Sequence, residues 1–282
     1  MGTTLAVDIG GTKLAAGIVD DDGTLVRRAQ TATAGDAEAI FASLCTVIDE
    51  VRTGDEIVCG VGCGGPMAPG GEHVSPLNIA AWREFPLRSR LREATDLDVF
   101  VDNDAKALAL GEGWRGAARG ERDFIAMVVS TGVGGGIVLD GRLLDGASGN
   151  AGHVGHVIVN PGGAVCGCGA RGCLEAEASG TGIRNRTGRE PADAGPEEIA
   201  HVGTMVGRGV ASVCNLLDLR LAVVAGSVAL GYGAPFFAAA QRELDGCARI
   251  SFARGARIVP AGLGADGPLV GAAAVGLRGM LA

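Results

Sequence analysis

Two stretches of this chain repeat one pattern, and that repeat limits the fold more than any other feature. Residues 4–26, TLAVDIGGTKLAAGIVDDDGTLV, read as a β-prone run, a glycine turn, a second β-prone run, an Asp-Gly turn and a third run. Residues 5–8 and 14–19 are the first two strands, with Gly10 and Gly11 between them. Residues 124–146, FIAMVVSTGVGGGIVLDGRLLDG, follow the same plan. A strand over 124–130, a glycine turn over 132–136 and a strand over 137–139 lead into Asp140-Gly141 and residues 142–144. Two copies of one supersecondary unit imply two related lobes.

Between and beyond the copies the pattern alternates. Ile40, Phe41, Leu44, Val47, Ile48 and Val51 fall on one face of a helix over 36–51, and 57–61 is a buried strand. A long helix carries Ile199, Val202, Val206, Val210, Val213 and Leu217; a strand over 221–225 is broken by Gly226 and Ser227. An alanine-rich helix follows Pro268. The expected architecture is α/β, with two lobes around a cleft. The lobes are set at 1–115 and 116–282, divided in the glycine- and charge-rich stretch 111–121, and the last helix is allowed to pack back on the first lobe.

Charge excludes one class of partner. The net charge is −8 and there is no basic run, so no nucleic acid is expected; Arg27 and Arg28 read as solvated surface. No run approaches the roughly 18 apolar residues of a membrane span, and the strand pattern starts directly after Met1 without a leader, so a cytoplasmic protein with no membrane partner is expected. Eight cysteines in a reducing compartment do not make a disulfide framework. Cys45, Cys59, Cys63, Cys214 and Cys247 are scattered, whereas Cys166, Cys168 and Cys173 cluster.

Several segments carry chemistry. In Asp8-Ile9-Gly10-Gly11-Thr12-Lys13 the glycines let backbone amides approach a phosphate, Thr12 adds a hydroxyl, Lys13 adds charge and Asp8 suits magnesium. The same residues also suit an ordinary hairpin turn. A dinucleotide loop needs strand–turn–helix with GxGxxG, and the turn here leads into a strand; GxxxxGK[ST] is absent as well. Ser130-Thr131-Gly132-Val133-Gly134-Gly135-Gly136 is a second such turn, and the pair is more specific than either alone. Asp104, in Val101-Asp102-Asn103-Asp104-Ala105, opens a helix. Taken alone it reads most simply as an N-cap; phosphoryl transfer to an alcohol would use it as the carboxylate that accepts the hydroxyl proton. His156, Cys166, Cys168 and Cys173 have the composition of a closed tetrahedral zinc site, set among glycines; the alternative is three unrelated core cysteines.

Together these segments resemble the ROK family of bacterial sugar kinases and repressors over essentially the whole chain. DIGGTK and STGVGGGIV are similar to its two phosphate motifs and DNDAKALALGE to its catalytic segment. GASGNAGHVGH with CGCGARGCLEAEASG is similar to its sugar and zinc signature, and SPLNIAAWREFPL and VVAGSVAL to its sugar-side and adenosine-side loops. The resemblance implies an actin-like ATPase fold and transfer of phosphate from ATP with Mg2+ to a hexose or N-acetylhexosamine, normally at its 6-hydroxyl. N-acetylmannosamine and glucose lead as substrates. It implies Asp104 as general base, and Gly65, Asn78, Asn103, His153, His156 and Glu175 on the sugar. Asp8, Gly10, Gly11, Thr12, Lys13, Thr131, Gly132, Val133, Gly134 and Gly135 would hold the phosphates and magnesium, and Gly226 and Ser227 the adenosine. His156, Cys166, Cys168 and Cys173 would bind structural zinc, and a homodimer or homotetramer is implied.

Two departures stand out. His153 occupies a position where many members carry glutamate, a form most similar to the N-acetylmannosamine kinase branch and shared by some glucokinase-like members. Gly60-Val61-Gly62-Cys63-Gly64-Gly65-Pro66 lacks one proline common in that loop. A repressor would add an N-terminal DNA-binding domain; with the first strand at Leu5 and an acidic chain, a repressor is not expected. A non-catalytic sugar sensor, and a kinase using polyphosphate as donor, remain as alternatives.

Overall fold

The structure is a computed structural model that describes residues 2–281. It forms two compact units: Met1–Gly116 with Leu263–Ala282, and Ala117–Gly262.

In the first unit, β1 (Thr3–Ile9), β2 (Lys13–Val19) and β3 (Leu25–Ala32) form an antiparallel meander. Two further strands, β4 (Glu56–Cys63) and β5 (Val99–Asn103), add parallel to β1, giving the order β3-β2-β1-β4-β5. Side chains alternate across a strand, and here the two faces differ in size. Leu5, Val7 and Ile9 join a core with Ile40, Phe41, Leu44, Val47 and Ile48 of α1 (Ala37–Val51). Ala6, Ala15 and Val19 meet Leu269, Ala272 and Ala273 of the C-terminal helix, Gly267–Met280. Bulky residues fill one side while small ones let that helix lie close to the sheet; each fully buried Leu, Ile or Val contributes about 1.5–3 kcal/mol relative to exposure. Asp36 starts α1 by accepting the Ala39 N–H at 2.9 Å. The remaining helices are α2 (Leu87–Thr95) and α3 (Asp104–Arg115). The C-terminal helix packs on α3, β1 and β4 and groups with the first unit.

The second unit repeats the topology. Three antiparallel strands, β6 (Phe124–Val129), β7 (Val133–Leu139) and β8 (Arg142–Leu143), are joined by β9 (Leu221–Ala225) and β10 (Arg257–Pro260) parallel to β6, in the order β10-β9-β6-β7-β8. Its helices are α4 (Leu174–Ala178), α5 (Gly180–Thr187), α6 (Pro196–Leu217) and α7 (Ser227–Cys247), the last interrupted at Gly233. Val202, Val206, Val210 and Val213 of α6 are buried against the sheet with Ile125 and Met127. The glycine turn expected over 132–136 is shorter. Strand β7 already begins at Val133, and Gly134, Gly135 and Gly136 pair with Val128, Met127 and Ala126. Only residues 130–132 turn.

Candidate active site

In the first unit the candidate residues gather at the carboxyl ends of the parallel strands. Asp8 of β1, Gly62 of β4 and Asp102 of β5 stand in register. A Cβ built on Gly62 would lie 4.0 Å from Asp8 Oδ1 and 3.8 Å from Asp104 Cα, so Gly62 lies between the Asp8 carboxylate and the start of α3. Burial, and then the charge of Asp104, raise the Asp8 carboxyl to about 6; Lys13 and Arg28 oppose the shift. Burial, followed by the same two carboxylates, holds the Cys63 thiol far above its ordinary value. The turn beyond Asp8 is closed by Gly10 N–H donating to Lys13 O at 3.0 Å and by the Thr33 hydroxyl donating to Gly10 O at 2.8 Å.

The β5–α3 junction resolves one ambiguity. Asn103 is the N-cap, its Oδ1 accepting Ala105 N–H at 3.0 Å, and Asp104 is the first helical residue, exposed, with Oδ1 2.8 Å from the same N–H. Capping therefore does not require Asp104 to be acidic. The loop after β4 brings Gly65 beside Asn103: a Cβ on Gly65 would lie 3.7 Å from Asn103 Nδ2. Gly65 O accepts the Leu77 N–H at 3.2 Å, and the neighbouring Asn78 packs against Gly11. Gly65, Asn78 and Asn103 thus converge on the first glycine turn and Asp104.

In the second unit, residues 130–132 occupy the position that 10–12 hold in the first. Glu175 of α4 accepts the Val133 N–H at 3.1 Å, so this amide, expected at a phosphate, is already engaged. Gly134 and Gly135 lie within β7, and Gly135 serves a different purpose. A Cβ there would fall 2.5 Å from Val154 Cγ1 and 3.2 Å from Gly152 O. The bare backbone seats the segment carrying His153 and His156, whose rings lie parallel with centroids 6.2 Å apart. Gly226, at φ 100°, starts α7; a Cβ on it would lie 2.6 Å from Val129 C. That close approach puts Ser227 Oγ 2.9 Å from Ser130 Oγ. Both serines, with Thr131, line a pocket of about 630 Å³ that also includes Arg184, Glu190, Ile199 and Tyr232. Of these last four, only Ile199 is marked in the sequence, as an apolar residue of the long helix, and Arg184, Glu190 and Tyr232 are not marked at all. Those three lie on α5, a loop and α7, where no local pattern marks them.

The cysteine cluster folds into a knuckle. Cys166 N–H donates to Ala170 O at 2.8 Å, Gly169 N–H to Cys166 O at 2.9 Å, and Cys173 bridges to Ile158. The ligand atoms of His156, Cys166, Cys168 and Cys173 all lie within 4.8 Å of one another. Cys168 Sγ is 3.7 Å from Cys173 Sγ, and His156 Nδ1 is 3.8 Å from Cys166 Sγ. A tetrahedral zinc ion about 2.3 Å from each sulfur spaces the sulfurs about 3.8 Å apart, so donor set and spacing fit zinc. Burial pushes the Cys173 thiol up to about 12, a penalty that a divalent cation would relieve.

The sequence model described as ROK family matches residues 4–278. This chain belongs to the ROK family. Its relatives within the ROK family include "N-acetylmannosamine kinase" of Citrobacter koseri, 39% identical over 248 residues, covering 82% of this chain and 85% of the relative. Among solved structures, a ROK family glucokinase from Streptomyces griseus, in complex with glucose and AMPPNP, superposes with a TM-score of 0.84 at 31% identity. It covers 98% of this chain and 100% of its own. A ROK hexokinase from Thermus thermophilus superposes with the same TM-score at 33% identity, covering 99% of each chain. The mixed α/β fold with its two sheets is thus that of ROK sugar kinases, the actin-like ATPase fold. Among the described residues no helix is long and apolar enough to cross a membrane.

Proposed function

We propose that this protein is an ATP-dependent sugar kinase that phosphorylates the 6-hydroxyl of N-acetylmannosamine, with glucose the second candidate. The observation that carries the reading is the pair Asp8 and Asp104 about Gly62, beside a glycine turn and next to Asn103 and Gly65. A carboxylate on the first turn of a helix, already capped by its neighbour, is suited to proton transfer rather than to structure.

In this reading Asp104 accepts the proton of the sugar hydroxyl as its oxygen bonds to the γ-phosphorus and the β,γ-bridging oxygen leaves with ADP. Asn103, its Oδ1 engaged by the cap, keeps Nδ2 to donate to the sugar. Asn78 and Gly65 shape the same subsite. Asp8 would hold magnesium, which supplies charge neutralisation at the phosphates; at pH 7 a carboxyl at about 6 is mostly ionised and fits a cation. Gly10, Gly11, Thr12 and Lys13 of the first unit are assigned to the phosphates, as are Thr131 and Gly132 of the second. Gly226 and Ser227 take the adenosine in the pocket bounded by Arg184, Glu190 and Tyr232.

His156 would bind zinc through Nδ1 and present Nε2 to the sugar, and zinc would fix that ring. Glu175, tied to the Val133 amide through Oε2, would offer Oε1 to the sugar. His153, standing parallel to His156, would contact the C1–C2 side, where an N-acetyl group distinguishes the two candidate sugars. The family resemblance also carries a cytoplasmic homodimer or homotetramer, to be checked by light scattering.

ADP release by zinc-loaded protein with ATP and Mg2+ tests the reading on N-acetylmannosamine, N-acetylglucosamine, glucose, mannose and fructose. Turnover fastest on N-acetylmannosamine is expected. Turnover on none of the five sinks the assignment.

A further inference from the structure

Lys106 is a charged side chain only 3% exposed, on the first turn of α3 beyond Asp104. Burying an ammonium group costs several kcal/mol unless it is paired, so its placement needs a reason other than helix propensity. Its Nζ lies 3.0 Å from Asp102 Oδ1. The same oxygen accepts the backbone N–H of Asn103 at 2.8 Å. From the C-terminal helix, Arg278 Nη1 reaches Asp102 Oδ2 at 3.5 Å. Asp102 is therefore tied to α3 on one side and to the C-terminal helix on the other. It also holds the peptide that leads into Asn103 and Asp104.

We propose that Lys106 and Arg278, acting through Asp102, are positioning residues that fix Asn103 and Asp104 for phosphoryl transfer. The inference rests on Asp104 being the general base. Asn103 pairs with Cys63 at the end of β5 and caps α3, and the peptide that joins the two elements takes one further restraint. The bond from Asn103 N–H to Asp102 supplies that restraint, and Lys106 holds Asp102 in place by an i,i+4 pair across the turn. Misplacing a reacting group by about 1 Å costs about 100-fold in rate, so a modest loosening here is expected to appear in kcat.

Two variants separate positioning from mere charge compensation. Lys106→Met leaves Asp102 short of one cation. Asp102→Asn/Lys106→Met removes both charges yet keeps an oxygen that can accept the Asn103 N–H. Both are expected to lower kcat by about 10- to 100-fold with the KM for sugar and ATP within about threefold. Both are also expected to speed amide exchange at residues 103–105 by about tenfold, while the double variant regains the Tm lost by the single one. Recovery of kcat together with Tm in the double variant would overturn the proposal, as would unchanged exchange at 103–105. Should neither variant fold, Arg278→Met, whose side chain is 39% exposed, carries the same test through the same two readouts. Turnover retained in Asp104→Asn would instead refute the general-base reading, and amide exchange would still report on the turn itself.

Discussion

Replacing Asp8 with asparagine is expected to stabilise the protein while abolishing its activity, and pH separates the two effects. Burial, and then Asp104, raise this carboxyl from 3.8 to about 6 in the folded chain. At about 1.4 kcal/mol per unit, a shift of about two units is a penalty of about 3 kcal/mol on the folded state. Its sign follows from proton counting. Between the unfolded and folded values the native state binds more protons than the unfolded one, so stability falls as pH rises through that window. The penalty is complete above about pH 6, about 3 kcal/mol at pH 7.5, and only about 1 kcal/mol at pH 4.5. Asparagine has the same shape without the charge. In metal-free buffer Asp8→Asn should therefore melt about 4–10 °C above wild type at pH 7.5, and by roughly a third of that margin at pH 4.5. Calorimetry of both proteins at three pH values reads this directly. A Tm difference independent of pH, or a variant less stable than wild type at pH 7.5, refutes the electrostatic account of the site.

Three further outcomes are expected. Gly226→Ala puts a Cβ against the backbone of Val129 at a φ of 100°, and should raise the KM for ATP about tenfold or more while leaving zinc content intact; an unchanged KM would separate Gly226 from nucleotide binding. Cys168→Ser should release zinc, measured by elemental analysis, and raise the sugar KM through His156; a zinc-free variant with normal kinetics would make the cluster incidental. His153→Glu should shift kcat/KM from N-acetylmannosamine toward glucose by about tenfold, and an unaltered preference would mark that ring as a passive wall.

What the sequence disclosed, and what it hid, follows from the range of the interactions. The repeated strand–turn–strand unit was legible because each copy is built from neighbours in sequence, and the two sheets share one topology. The knuckle was legible for the same reason: Cys166, Cys168 and Cys173 lie within one turn-rich loop, and only His156 comes from outside it. Asp104 carries its signal as an acid at a strand–helix junction, but which residue caps the helix needed the structure, in which Asn103 takes that place. The extent of the second glycine turn was misjudged because Gly134, Gly135 and Gly136 look like turn residues. They are strand residues, and the bare backbone of Gly135 lets Gly152 and Val154 lie against it. The bond between Glu175 and Val133 spans 42 positions, and no pattern in either segment encodes it. Arg184, Glu190 and Tyr232 meet only because α5, α7 and the loop before α6 converge on Ser130 and Ser227. The final helix reads as generic alanine-rich sequence, and the structure shows its partners, Ala6 and Ala15 of the first unit.

The most direct measurement is phosphorus NMR of ATP, Mg2+ and N-acetylmannosamine with wild type and with Asp104→Asn. Wild type should yield ADP and a sugar 6-phosphate in equal amounts. Asp104→Asn, still folded and still binding the sugar, should form that product at least about 100-fold more slowly. A near-normal rate in the variant, or ADP without phosphorylated sugar from wild type, would contradict a kinase that works through this carboxylate.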